Sequence, residues 1–387
     1  MKHKIAIYSG EIPSTTFIER LINGLSQKNY DIYIFGFQKN KVKYNDSLKL
    51  ISYSNKLSKI FLLCKYHILL SLFFRKEKKK LDEIIKARNG NLTSKLKFYP
   101  VLYHKPDIFH LQWAKGVEEW IWVKEFGIKY IVSLRGTHVS ISPYANNVLK
   151  EMYKMHFPLV DFFHAVSNTM ANEVINYSVN HSKIKVIYSG LDFKFINYYP
   201  KKMINKPYKI LSIGREHWVK GYNYAIDACK ILSDNNFNYI YKIIGIENSE
   251  DLVFQRNQLQ LNDKVIFENK IAFDALKKEI YKADILILPS VEEGIANVVL
   301  EAMAAGTLVI TTDCGGMKEL ILDGVNGFVV PMRNPTQLAN SIQECSLLSI
   351  EKYNEVTLNA RKTVETNHSM EKMVGDFNQM YKFILCE

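Results

Sequence analysis

Short apolar runs that each end in a polar turn recur along this chain, with helically spaced stretches between them. KIAIYS (4–9) leads through TTFIERLINGLSQ to DIYIFGF, and DIFHL (107–111), KYIVSL (129–134), DFFHAVS (161–167) and KIKVIYS (183–189) continue the pattern. Helices are expected near 117–126, 144–154 and 168–178. A second series starts at YKILSIG (208–214) and runs through YIYKIIG (239–245), KVIFE (264–268), ADILILPS (283–290), TLVITT (307–312) and NGFVV (326–330). Its helices are expected near 220–233, 249–260 and 274–281, and the pattern is helical from about 336 onward. Strands alternating with helices pair in parallel, because parallel neighbours need a long crossover. Each series therefore predicts an α/β domain with a parallel sheet covered by helices. The aromatic, lysine- and proline-rich stretch 193–207 reads as the linker, giving a first domain over 1–195 and a second over 196–370. Within 40–100 neither pairing nor register can be assigned.

A chain of 387 residues with 47% hydrophobic content is ample for two cores. Its five cysteines form no CxxC pair, which argues against a zinc site or a disulfide scaffold and fits the reducing cytosol. MKHKIAIYSGE is too short for a signal-peptide core. The apolar stretch 61–74 is only 14 residues long and contains Lys65 and His67, which argues against a membrane span. The formal charge is +12, and residues 75–97 carry nine Lys or Arg against three acids. A basic segment beside an apolar one can attach to anionic lipid or steer a polyanion, and it can equally be a solvated helix face beside a core stripe. No nucleic-acid-binding signature and no metal-ligand cluster is visible.

Open α/β sheets bind ligands beyond the carboxyl ends of their strands, so the first residues after each apolar run carry the information. SGEIPSTTF lacks both the GxGxxG dinucleotide cradle and the P-loop. GREHWVKG (214–221) places Arg215 and Lys220 between two glycines, a directional fork and a point charge that can neutralise a departing diphosphate. The alternative is an ordinary basic loop. EEGIANVVLEAMAAG (292–306) follows a buried-strand pattern. Its helix is expected to begin near Asn297, which can cap it, while Gly294 permits close backbone approach and the helix amides attract phosphate. Glu293 then lies in the ligand-facing loop and Glu301 one turn inside the helix, within reach of a sugar or ribose hydroxyl. The plain alternative makes Glu301 a surface helix former and Glu293 an acid near the cap.

VIYSGLD (186–192), GREHWVKG, the run from FENKIAFDALKK through EEGIANVVLEAMAAGTLVITTDCGG, and DGVNGFVV occur in the order found in family 4 of the retaining nucleotide-sugar glycosyltransferases, which this chain resembles over most of 183–330. The resemblance implies the GT-B architecture: two facing Rossmann-like domains with an interdomain cleft, an acceptor-side first domain, a nucleotide-sugar-binding second domain, and a last helix over 371–387 packing back on the first. It places Arg215 and Lys220 on the donor diphosphate, Glu293 on the transferred sugar and Glu301 on the nucleotide ribose. The backbone of Ile295, Ala296, Asn297 and Val298 would line the sugar and phosphates. Gly315 and Gly316 match a glycine pair near the donor, Gly190 and Asp192 a turn before the link, and Glu319 a recurrent structural acid. PSTTFIERLINGLSQ is similar to an opening found in several polysaccharide-building members, with Thr15 and Thr16 where Ser and Glu usually stand.

SLRGTHVS (133–140) departs from the family, whose members commonly carry HGxD there with the histidine near the reacting sugar. Arg135 takes the histidine position and His138 the aspartate position. Arg135 stays charged near neutrality and cannot serve as a base, so it is a candidate for contacting phosphate, sugar or an anionic acceptor. His138 is a candidate for proton transfer or for a plain loop contact. His110 and His164 read as core or sheet-mouth residues, and Trp113, Trp120 and Trp122 as core residues or sugar platforms. The resemblance implies transfer of a hexosyl group from a UDP- or GDP-sugar with retention, the acceptor hydroxyl attacking from the leaving-group side and domain closure excluding water. It implies no tightly bound cofactor and no required metal. The expected partners are the nucleotide sugar, a lipid-linked or oligosaccharide acceptor, and an anionic membrane surface, with no nucleic acid. The expected setting is surface-polysaccharide assembly, in the cytoplasm or on the inner face of the cell membrane. The rival functions are glycosylation of a soluble small molecule and a catalytically silent sugar-nucleotide- or polysaccharide-binding protein.

Overall fold

The computed structural model describes residues 2–45 and 47–386. The chain divides into two compact units, one formed by 1–166, 170–190 and 370–387, the other by 167–169 and 191–369.

The first unit is built on a parallel sheet of seven strands: β1 (His3–Ile12), β2 (Tyr30–Gln38), β3 (Leu48–Tyr53), β4 (Ile108–Leu111), β5 (Lys129–Leu134), β6 (Phe162–Ala165) and β7 (Ile184–Val186). They lie in the order β3-β2-β1-β4-β5-β6-β7. β1 runs past the expected turn at Ser9 to Ile12, because its pairing with β2 resumes at Gly10 after a register shift. Gly10 has a φ of 90°, a backbone that lets the strand bulge and continue.

The segment 40–100, unassignable from sequence, holds β3 and three helices, Lys56–Phe73, Arg75–Ala87 and Leu92–His104. The first and third begin with Asn55 and Asn91, each of which accepts a backbone N–H three residues on in a reciprocal capping box with a serine. The helix expected over 117–126 is one short α turn, Val117–Trp120, followed by the 3-10 turn Ile121–Phe126 and stopped by Gly127 in the left-handed region. Trp120 and Trp122 are fully buried, with Trp120 stacked on Phe109 at 4.5 Å between ring centroids, so both are core residues. The last helix, Met370–Cys386, packs on the helix Thr16–Leu25. Tyr30 Oη donates to Asn378 Oδ1 at 2.8 Å, and a side chain at Gly24 would strike Val374.

The second unit carries six parallel strands: β8 (Tyr208–Ile213), β9 (Tyr239–Ile244), β10 (Val265–Glu268), β11 (Ile285–Leu288), β12 (Leu308–Thr312) and β13 (Phe328–Val330). Their order is β10-β9-β8-β11-β12-β13. β11 is buried along its whole length, which explains its unbroken ILIL run. The strand order reverses between β8 and β11, since the chain moves outward from β8 on one side and from β11 on the other. Ligands of such sheets bind at that reversal, beyond the carboxyl ends of the two strands.

Candidate active site

The loops after β8 and β11 are those that carry GREHWVKG and SVEEGIAN, so the reversal point brings Lys220 and Glu293 together. Lys220 Nζ donates to Glu293 Oε1 at 2.6 Å, and Ser290 Oγ donates to the same oxygen at 2.9 Å. Both charged side chains are mostly shielded, at 19% and 15% exposure. With Oε1 occupied twice, Oε2 takes no hydrogen bond from the described residues and can receive a hydroxyl. Tyr222 sits beside this pair with its hydroxyl buried and without a hydrogen-bond partner among the described residues. Burial, then the Glu293 charge, push that phenol well above its usual range, so it stays a neutral donor.

Two glycine contacts fix the loop. Gly315 has a φ of 47°, and a Cβ there would collide with the Glu293 carbonyl; one at Gly316 would collide with the Gly294 carbonyl. Gly316 N also donates to Glu293 O at 3.1 Å. The Gly294 carbonyl is thus in close approach to Gly316, while the left-handed backbone lies at Gly315, whose turn clamps the Glu293 loop. Cys314, next to it, is buried. Burial and the charges of Glu293 and Glu292 push its thiol up to about 12, which leaves it protonated and unreactive.

The helix Asn297–Ala305 starts as expected, but Ala296 occupies its cap and Asn297 is the first helical residue. No side-chain cap bond closes this helix. The Asn297 Oδ1 is buried without a partner among the described residues. Ile295 and Ala296 are buried and Val298 partly so. Glu301 is buried within the helix, which overturns the surface-helix-former alternative.

Arg215 is exposed and helps line a cavity of about 510 Å³. Its walls include Gly214, Ile244, Gly245, Lys270, Ile271 and Leu276. Gly245 has a φ of 106° and no room for a Cβ against the Gly214 carbonyl, so a close contact between the loops after β8 and β9 shapes this cavity. Glu319 accepts the backbone amides of Asn168 and Thr169, each at 2.8 Å, and the Thr169 hydroxyl at 2.9 Å. Burial opposes its ionisation, but these donors outweigh it and hold the carboxyl below its usual range.

In the first unit Arg135 follows β5 directly and is almost wholly buried. It lies over the Phe17 ring at 4.4 Å and donates from Nη2 to Gln112 Oε1 at 3.2 Å. It has no carboxylate partner among the described residues, and its Nε and Gln112 Nε2 are buried donors without acceptors. Burial pushes the guanidinium down to about 9, which leaves it charged at neutral pH. His138 is partly buried, its ring 5.4 Å from that of Trp113, and its carbonyl accepts the Tyr153 hydroxyl. His110 and His164 are core residues joined through Ser133: His110 Nε2 and His164 Nδ1 each lie 2.8 Å from Ser133 Oγ. His110 Nδ1 meets Tyr381 Oη at 2.6 Å. Sequence reading passed over Gln112 and Tyr222. Gln112 could have been found as the first residue after the IFHL run.

Among the described residues no cluster of three or more His, Cys, Asp or Glu could hold a metal ion. No helix among them is long and apolar enough to cross a membrane.

Two sequence profiles match in tandem, one described as Glycosyltransferase Family 4 over residues 14–195 and one as Glycosyl transferases group 1 over residues 197–363. The chain is similar to an uncharacterized glycosyltransferase of Methanocaldococcus jannaschii, at 33% identity over 57% of this chain and 59% of that protein. It is also similar to an amylovoran biosynthesis glycosyltransferase of Erwinia amylovora, at 29% identity over 56% of this chain and 55% of that protein. These matches thus span less than two thirds of either relative. Among solved structures, the sucrose-phosphate synthase of Thermosynechococcus elongatus superposes with a TM-score of 0.74 over 100% of both chains at 16% identity, a likeness of fold. Two parallel sheets flanked by helices are the GT-B architecture, and with the two profiles covering nearly the whole sequence the chain belongs to the family 4, group 1 glycosyltransferases.

Proposed function

We propose that the protein transfers a hexosyl group from a UDP- or GDP-sugar to a hydroxyl acceptor with retention of configuration. The observation that carries this reading is the Glu293 carboxylate, held by Lys220 and Ser290 between the ends of β8 and β11 with one oxygen free. In this reading Glu293 Oε2 takes a sugar hydroxyl and Glu301 a ribose hydroxyl. The cavity beside Arg215 has the size of a small-ligand site and takes the nucleobase. Arg215, Lys220 and the first amides of the helix Asn297–Ala305 receive the diphosphate, and the backbone from Ile295 to Val298 lines the sugar.

During transfer the bond from the anomeric carbon to the diphosphate oxygen breaks, and the acceptor oxygen bonds that carbon from the same face. The acceptor proton passes to a diphosphate oxygen, and the growing charge is met by Arg215 and Lys220. Glu293 acts as a sugar ligand here. Retaining glycosidases instead use a carboxylate as nucleophile, and a carboxylate already tied to Lys220 is a poor one.

Arg135, a buried cation lacking a carboxylate, is proposed to hold an anionic group of the substrates, with Gln112 steering its fork and His138 beside it as a proton-transfer candidate. The acceptor is proposed to be lipid-linked or an extended sugar, used in building a surface polysaccharide at the cytoplasmic face of a membrane. The amylovoran biosynthesis relative supports that setting. The test is a donor and acceptor screen by mass spectrometry on wild type and Glu293→Ala. Transfer from one donor class, strongly reduced in the variant, is the expected result. Donor binding without transfer or hydrolysis across the panel would favour a silent binding protein, and equal product from both proteins would reject the role of Glu293.

A further inference from the structure

The helix Lys56–Phe73 buries Leu62, Tyr66 and Leu70 and still presents a second apolar face. Leu57, Phe61, Cys64, Ile68 and Leu72 recur every three or four residues and are all exposed, Leu57 at 79% and Phe61 and Leu72 at 69%. That spacing aligns them in one stripe over a helix of 18 residues, roughly 27 Å long. A stripe of this size on a surface helix marks an interaction site. The helix contains no acid, and Lys56, Lys59 and Lys65 are its charges.

The following helix, Arg75–Ala87, supplies a basic rim. Lys78 and Lys80 are paired with Asp82 and Glu125, whereas Arg75, Lys76, Lys79 and Lys86 carry no ion pair among the described residues. Arg75, Lys79 and Lys86 line a groove of about 460 Å³ together with Ser71, which lies at the edge of the apolar stripe. Two acids also line it: Asp82, already engaged by Lys78 and Lys95, and Glu83.

We propose that this surface docks the protein on an anionic phospholipid bilayer, the stripe entering the interface and the free lysines and arginine meeting lipid phosphates. An apolar face flanked by basic residues is the chemistry of an interfacial helix. A second copy of the chain fits the surface poorly, because pairing it with itself would set lysines against lysines. The inference rests on the membrane-facing acceptor proposed above for its purpose, but vesicle binding reads it without donor or acceptor.

Full-length protein is sedimented with vesicles of phosphatidylethanolamine containing phosphatidylglycerol and with vesicles of phosphatidylcholine alone. Two variants accompany it, a Leu57→Ser, Phe61→Ser, Ile68→Ser triple and a Lys76→Glu, Lys79→Glu double. Wild type binds only the anionic vesicles, more weakly as salt rises, and each variant binds about tenfold more weakly or worse. Both variants keep wild-type transfer to a soluble acceptor, so loss of transfer with intact vesicle binding would strike the enzymatic reading alone. Absence of wild-type binding, equal binding to both vesicle types, or unchanged binding by the variants overturns the proposal. A wild-type dimer that the triple variant turns monomeric, without vesicle binding, would instead make the stripe an interface between copies.

Discussion

Lys220 and Glu293, 73 residues apart, form a single ion pair at 2.6 Å across the ends of β8 and β11. In the proposed donor site an arriving diphosphate would compete for the lysine that holds the carboxylate in place, and the pair would then couple recognition of the phosphates to recognition of the sugar. Removing either partner leaves a mostly shielded charge alone, which costs about 1–3 kcal/mol. Thermal or urea unfolding of Lys220→Ala, Glu293→Ala and the double variant should show a double variant more stable than the sum of the single losses. Strict additivity would mean that the pair is not energetically coupled.

Gly315→Ala combines a left-handed backbone with a Cβ placed against the Glu293 carbonyl. We expect a loss of about 2 kcal/mol or more and weakened donor binding, because the clamp and the Glu293 loop move together. A denaturation midpoint and donor affinity equal to wild type would show that the turn does not shape the loop.

Arg135→Met should separate stability from function. A buried guanidinium without a carboxylate is a burden on folding, and an apolar residue of similar length removes it. The expected outcome is an unchanged or higher Tm with kcat/KM lowered about 100-fold, on the order of the loss for one preorganised charge contact. A clear drop in Tm with normal turnover would make Arg135 a structural residue.

His110 and His164 are held neutral in the folded protein, the first pushed down to about 3, the second far below its usual range, in both cases by burial and then by the Arg135 charge. At pH 7 both are neutral in the folded protein and mostly neutral in the unfolded chain, so their effect on stability is small. Below about pH 6.5 the unfolded chain takes up protons that the folded chain refuses, so stability falls as pH falls, by about 2 kcal/mol for each histidine near pH 5. Urea titrations at the two pH values should show this loss, and His164→Gln should flatten it. An identical pH dependence in the variant would assign acid lability elsewhere.

The strands flanking the candidate site were legible because runs such as ILIL are buried along their whole length and end abruptly at the site. The segment 40–100 was not, for two physical reasons. The helix Lys56–Phe73 is apolar on its buried and its exposed faces, which erases the periodicity that marks an amphipathic helix, and the helix Leu92–His104 contains Pro100. Asn297 was misplaced by one position, because a capping residue and a first helical residue have the same neighbours in sequence. The association of Gln112 with Arg135 comes from parallel pairing of β4 and β5, a long-range relation that no local spacing encodes.

Calorimetric titration of wild type and Glu293→Ala, with a UDP- or GDP-sugar and with the matching nucleoside diphosphate, tests the central claim most directly. If Glu293 holds the sugar while Lys220 holds the diphosphate, the variant binds the free diphosphate as well as or better than wild type, since its lysine is released. Its preference for the sugar nucleotide over the diphosphate then falls by at least about tenfold, the value of one good hydrogen bond to a charged group. An unchanged preference, or a wild type that binds neither ligand, would contradict the account.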